Sequence, residues 1–218
     1  LRNSSAASDV YKRQVVICDP ELTVGMPKFI TAGTGMDAFA HSLEAYCSPH
    51  YHPMSQGIAL EGMRLVKDYL PRAFADGNDL EARAQMMSAA AMGATAFQKG
   101  LGAIHALSHP LGAMYHTHHG TTNAVVMLPV LRSNRPAIET RISAAADYLG
   151  IDGGFDGFYD FVAALIAQLE IPPNLTALGV TDPDVDAVVR AALTDPSAGG
   201  NPVEMTYDNT KSLLQSCL

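Results

Sequence analysis

Asp37, His41, His105 and His119 are the residues of this chain best suited to holding a metal ion. The first two fall in Thr-Gly-Met-Asp-Ala-Phe-Ala-His, residues 34–41, and stand four apart, so on a helix they share a face. The other two bracket His-Ala-Leu-Ser-His-Pro-Leu-Gly-Ala-Met-Tyr-His-Thr-His-His-Gly, residues 105–120. One carboxylate and three imidazoles, with no thiolate, suit a divalent ion of borderline hardness such as iron(II), zinc, nickel or cobalt. Such an ion, open on one side, is a Lewis acid for an oxygen ligand.

The competing reading is that the histidines are unrelated, each on a surface or satisfied in the core. Clustering weighs against it. Of the 8 histidines, 5 fall between positions 105 and 119. Asp37/His41 and His105/His109 are both i, i+4 pairs on apolar, Gly/Ala-rich segments, where a buried imidazole without a partner is costly.

The elements that must position these groups read as helices. Thr34 is a plausible N-cap for a helix from Gly35 to about Tyr46. Further helices are expected over about 54–69, stopped by Pro71, over 80–97, and from the Gly100–Gly102 break through His105 and His109. Another starts near His119 and stops near Ser133, and four more cover about 137–149, 155–169, 183–193 and 207–217. Period-2 alternation is essentially absent, apart from a short apolar run at residues 15–19 that reads as a strand. The expected fold class is all-α with one residual strand at the N-terminus. Met86, Met87 and Met92 read as core filler. Phe97 suits either the core or the wall of a substrate pocket, and His50 and His52 read as solvated loop residues.

Composition bounds the rest. Hydrophobic residues make up 48% and charged residues 17%, a globular balance, and 218 residues can bury a sizeable core. The net charge of −8, without a Lys/Arg run, argues against nucleic acid and anionic membranes as partners. No apolar run approaches the length of a membrane span. Cys18, Cys47 and Cys217 are few and unpatterned, as in a reducing cytoplasm.

Two blocks closely resemble the iron-dependent (group III) alcohol dehydrogenase family. They are Thr-Gly-x-Asp-Ala-x-x-His and Gly-Leu-Gly-x-x-His-x-x-x-His-Pro-Leu-Gly-Ala, the second running on to a His-Gly. Here Gly100-Leu101-Gly102, His105, His109-Pro110-Leu111-Gly112-Ala113 and His119-Gly120 match at the family spacing. His118 stands where many members have Pro, and His116 occupies a variable position. The resemblance covers residues 15 to 218. It implies a multi-helix, dehydroquinate synthase-like C-terminal domain with Asp37, His41, His105 and His119 as ligands of Fe2+ or Zn2+. His109 would be the catalytic, cofactor-facing histidine between metal and nicotinamide. The implied activity is alcohol/aldehyde interconversion with NAD or NADP, on a small alcohol or aldehyde, by a cytoplasmic homodimer or larger homo-oligomer. A glycerol dehydrogenase, a dehydroquinate synthase-like lyase and a non-catalytic metal-binding module are the alternatives.

Family members begin with an α/β domain whose Gly-Gly-Gly-Ser loop cradles the dinucleotide phosphates at a helix N-terminus. No such loop is present here, since Gly153-Gly154 and Gly199-Gly200 lack the flanking pattern. Residues 1–14 read as a non-native, adapter-like tail, 15–33 as the residual end of the cofactor domain with its linker, and 34–218 as the helical catalytic domain. A fragment of this kind is expected to be inactive by itself.

Overall fold

The computed structural model describes residues 16–218. A 3-10 turn at Pro20–Thr23 leads into eight α-helices among these residues. They are α1 (Lys28–Cys47), α2 (Pro53–Ala75), α3 (Leu80–Ala96), α4 (Ala103–Tyr115), α5 (His119–Leu149), α6 (Gly154–Gln168), α7 (Val185–Thr194) and α8 (Tyr207–Gln215). The protein is all-α. The expected strand is not formed, because residues 16–19 run as irregular chain with Val16 and Ile17 exposed, and Val15 lies outside the described residues. A strand needs a neighbouring backbone to bond to, and among the described residues none pairs with this segment.

Helix α1 is central. It is apolar around most of its circumference and packs on α2, α3 and α5, as expected of a helix without a solvent face. It begins at Lys28, about two turns before the expected start. Pro27 supplies the first carbonyl, accepting from Ile30 and Thr31. Thr34 is therefore interior and bonds back to the carbonyl of Ile30 at 2.8 Å. The C-terminus of α1 is closed by two cations. Buried Lys99 donates to the carbonyls of Ala45, Tyr46 and Ser48, and Arg141 to those of Tyr46, Cys47 and Ser48. These carbonyls have no helical partner and carry the negative end of the helix dipole.

Helix α2 runs through Pro71 to Ala75, and α5 runs unbroken through Pro129 and Pro136. Two helices were expected where α5 is one. Each proline removes one ladder bond, but Val126, Met127, Val130, Leu131, Ile138 and Ile142 bury both halves of α5 against one core. Tertiary burial outweighs the local break. His52, expected to be merely solvated, caps α2 by accepting from the Ser55 amide at 3.1 Å. Met86 and Met92 pack on the core as expected.

Two glycines set the spacing of α1 and α5. A Cβ on Gly120 would stand 2.1 Å from the carbonyl oxygen of Gly33 and 3.1 Å from the Asp37 Cβ. A Cβ on Gly33 would meet His118 and Thr121. The helices cross backbone to backbone. We expect Gly120→Ala to destabilise the chain by about 1–3 kcal/mol, by forcing the helices apart. Gly57, on the exposed face of α2 with nothing near its missing Cβ, should gain about 0.5–1 kcal/mol on change to Ala. Urea melts of the two variants should move in opposite directions, and a shared direction would remove the close crossing as the cause.

Candidate metal centre

Three helices each deliver groups at helical spacing to one point. Asp37, His41 and Glu44 lie along one face of α1, His105 and His109 along α4, and His119 and Asn123 along α5. The donor atoms of Asp37, His41 and His105 lie within 4.8 Å of one another. Asp37 Oδ1 is 3.8 Å from His41 Nε2, 3.5 Å from His105 Nε2 and 3.3 Å from His119 Nε2. Ligands about 2.1 Å from a tetrahedral ion stand about 3.4 Å apart. The spacing of Asp37, His41 and His105 fits a divalent cation, and His119, the most exposed of the four, approaches this group at Asp37.

Sequence reasoning missed two members of this cluster. Glu44 is buried and works with both oxygens. Oε2 accepts from His105 Nδ1 at 2.6 Å, and Oε1 accepts from the Ile104 amide at the N-terminus of α4 at 2.7 Å. A carboxylate only accepts, so the proton of His105 is on Nδ1 and Nε2 is left for the cluster. Glu44 lies one turn beyond His41, and that register was its available signal. Asn123, one turn beyond His119, donates through Nδ2 to Asp37 Oδ1 at 2.7 Å. The same Nδ2 lies 3.3 Å from His105 Nε2 and 3.2 Å from His119 Nε2. Its Oδ1 is buried without a partner. Turning the amide round would aim an oxygen at the Asp37 carboxylate, so Nδ2 belongs on that side. A buried amide that leans on three would-be ligands, with its own oxygen orphaned, is the mark of a site shaped around a cation.

The electrostatics agree. Burial by itself pushes the Asp37 carboxyl up, but hydrogen bonding from His105 and His119 and the charge of His41 hold it far below the usual carboxylate range. Burial lowers His41, and neighbouring Asp37 only partly offsets this. Burial also pulls His105 down, but Asp37 and Glu44 outweigh it and push its pKa up to about 9.

His109 lies beside this set. Its ring stacks on His119 with centroids 5.4 Å apart and meets His105 edge-on at 5.7 Å. Its Nδ1 bonds Asp195 Oδ2 at 2.8 Å. The Phe97 ring lies with its centroid 5.1 Å from that of His41, beside the cluster. His118 is the N-cap of α5, accepting from Thr121, and His116 is the left-handed end of α4. All five residues singled out in the sequence, Asp37, His41, His105, His109 and His119, therefore lie together in one side-chain cluster.

An all-helical domain with an Asp/His cluster at the meeting of three helices has the character of a metal-binding domain. Residues 31–218 match the family model "Fe-containing alcohol dehydrogenase family, C-terminal", and the chain belongs to that family. It is 40% identical over 211 residues to 4-hydroxybutyrate dehydrogenase of Cupriavidus necator, covering 93% of this chain and 55% of the relative. Alcohol dehydrogenase 4 of Schizosaccharomyces pombe is 36% identical over 204 residues, 92% of this chain and 48% of that protein. A crystal structure of 1,3-propanediol oxidoreductase superposes with a TM-score of 0.87 at 32% identity, over 92% of this chain and 55% of that one. Sulfoacetaldehyde reductase from Bifidobacterium kashiwanohense, in complex with NAD+, gives 0.83 at 30% identity, over 91% and 53%. The chain thus spans about half the length of the relatives it matches.

Two outcomes follow for the cluster. Glu44→Gln should weaken binding of Zn2+ about 10- to 100-fold, since the carboxylate sets the tautomer and basicity of His105. Unchanged affinity in a competition titration would reduce Glu44 to a helix-capping role. Binding itself requires neutral imidazoles. With its pKa raised to about 9, His105 keeps its proton below that pH and has lost it above. Binding near neutrality should therefore release about one proton per ion from this site, fading as pH rises through about 9. Calorimetry in buffers of different ionisation heat reads that number directly.

Proposed function

We propose that this chain is the metal-binding half of a metal-dependent alcohol dehydrogenase that interconverts an alcohol and an aldehyde by hydride transfer to or from NAD or NADP. The observation that supports it most is the convergence of Asp37, His41 and His105, with His119 3.3 Å from Asp37 and the half-exposed His109 stacked on His119. In this reading those four hold Fe2+ or Zn2+. The ion, when bound, supplies Lewis acidity toward a substrate oxygen.

The chain's own residues do the rest. Asp37 contributes negative charge against the dication, and Glu44 fixes the His105 ring so that Nε2 meets it. Asn123 orients Asp37. Phe97 gives the cavity an apolar wall against which a carbon chain can lie. His109, with its ring at the cavity and its side chain partly in solvent, moves the hydroxyl proton between site and water. Hydride chemistry belongs to the nicotinamide, and the protein supplies position. We assign dinucleotide binding to the portion of the relatives that this chain does not span, one of which carries NAD+.

Relatives named for 4-hydroxybutyrate, methanol and 1,3-propanediol share a terminal hydroxyl. We therefore take a primary alcohol, or its aldehyde, as the substrate class. No helix among the described residues is long and apolar enough to cross a membrane. We place the complete enzyme in the cytoplasm, as a homodimer or larger homo-oligomer.

The test uses the chain joined to a dinucleotide-binding half and compares two histidines one turn apart. His105→Ala should lose metal and activity together. His109→Ala should keep its metal, read by elemental analysis, and lower kcat by about 10²–10⁴-fold, the usual cost of losing a positioned proton-transfer group. If His109→Ala strips the metal while His105→Ala retains it, the two roles are exchanged. The unjoined chain should show no turnover with alcohol and NAD or NADP, and measurable turnover would overturn the division of labour.

A further inference from the structure

Asp195 stands between the end of α7 and the 3-10 turn at Pro196–Gly200, both of which pack on α4. Its two oxygens have separate tasks. Oδ1 accepts from the Ser197 amide at 2.8 Å and caps the turn. Oδ2 faces Nδ1 of His109 at 2.8 Å. Asp195 is largely buried, with its side chain 13% exposed, whereas the His109 side chain is 42% exposed. Burial alone raises the Asp195 carboxyl, but Ser197 and His109 hold it below its ordinary value, so it meets His109 as an anion. An anionic carboxylate has no proton to give. The hydrogen of this bond therefore belongs to the imidazole, on Nδ1.

We propose that Asp195 is the positioning residue of His109: it fixes the ring's tautomer as Nδ1–H and its orientation, so that Nε2 is the atom free to accept a proton at the cavity. The consequence for turnover rests on the function proposed above, but the tautomer does not. His109 has few other restraints. Pro110 follows it directly and can offer no amide, and the aromatic rings it meets are two imidazoles, His105 and His119. Without Asp195 the ring could turn over or take either tautomer. This is the logic by which a buried carboxylate orients a catalytic histidine in hydrolytic triads.

Asp195→Asn separates this role from packing. The Ser197 amide continues to claim the oxygen of the new side chain, so its NH2 faces His109 Nδ1. A donor there demands an acceptor, and the tautomer inverts to Nε2–H. Long-range 1H–15N correlation spectra of the histidine-labelled chain, with Zn2+ added and recorded at alkaline pH, read the tautomer. His109→Gln identifies the signal by its loss. The expected result is Nδ1–H in the original chain and Nε2–H in Asp195→Asn, with equal zinc content. The same tautomer in both chains overturns the proposal.

A second arm uses the joined enzyme. Asp195→Asn should lower kcat at least about tenfold with KM little changed, and should cost nothing further in a His109→Ala background. An equal loss in both backgrounds would show that Asp195 acts through packing, and would also overturn the proposal. If the tautomer inverts but neither His109→Ala nor Asp195→Asn alters kcat, the positioning stands and the proton-transfer reading of His109 fails.

Discussion

The backbone of α5 touches the backbone of α1 at Gly120 and Gly33. Everything at the cavity depends on that approach. His119 immediately precedes Gly120, and Asp37 lies one turn beyond Gly33, so the crossing that excludes a Cβ also sets His119 Nε2 3.3 Å from Asp37 Oδ1. A similar constraint acts on the next face of α1. A Cβ on Gly93 of α3 would stand 3.0 Å from the His41 Cβ and 3.1 Å from the Ala38 carbonyl. Small residues on the neighbours let α1 be enclosed while its polar face stays within reach of α4 and α5. Interior packing transmits displacement rather than absorbing it, so the spacing between donor atoms is inherited from helix spacing.

Enclosing two carboxylates and three imidazoles is costly unless each finds a partner. Here Asp37 is shared by His105, His119 and Asn123, and Glu44 by His105 and the Ile104 amide. The raised pKa of His105, about 9, is the response of this cluster to a local excess of negative charge. A dication would meet the same demand more fully, releasing the proton and drawing on the donor atoms already aimed inward. The arrangement is thus intelligible as a protonated form of a metal site, in which hydrogen ions and the Asn123 amide supply the positive character.

Much of this was legible in the sequence, and the misses have physical causes. Asp37, His41, His105, His109 and His119 were readable because helical periodicity converts i, i+4 spacing into a shared face, and because the His-rich block follows the family's spacing. Glu44 and Asn123 lie in the same registers but belong to residue types that are ordinary on helices, so nothing in composition marked them. The start of α1 was missed because Thr34 resembles a cap, although the burial of Thr31, Ala32 and Gly33 carries the helix back to Lys28. Pro129 and Pro136 resemble stops, but α5 gains more from burying both of its halves than it loses at two ladder positions. The strand expected at 15–19 rested on apolar character alone, and strand formation needs a neighbour that no local pattern specifies. Asp195, 86 positions from His109, is brought to it by the packing of α7 on α4, which a single sequence does not encode locally.

The chain uses one device twice, with two results. His105 and His109 lie one turn apart on α4, and each gives its Nδ1 to a carboxylate from another element, Glu44 at 2.6 Å and Asp195 at 2.8 Å. In each case the carboxylate decides that Nε2 is the working atom. What differs is water. The His105 side chain is 1% exposed and that of His109 is 42%. The buried imidazole is fixed in orientation by Glu44, and below about pH 9 it carries a second proton that a bound cation would displace, which suits the ligand role proposed for it. An imidazole held on one side and wetted on the other keeps its orientation but can exchange its proton with solvent, which is what a relay requires. In the function proposed above, depth along a single helical turn therefore separates holding a metal from transferring a proton.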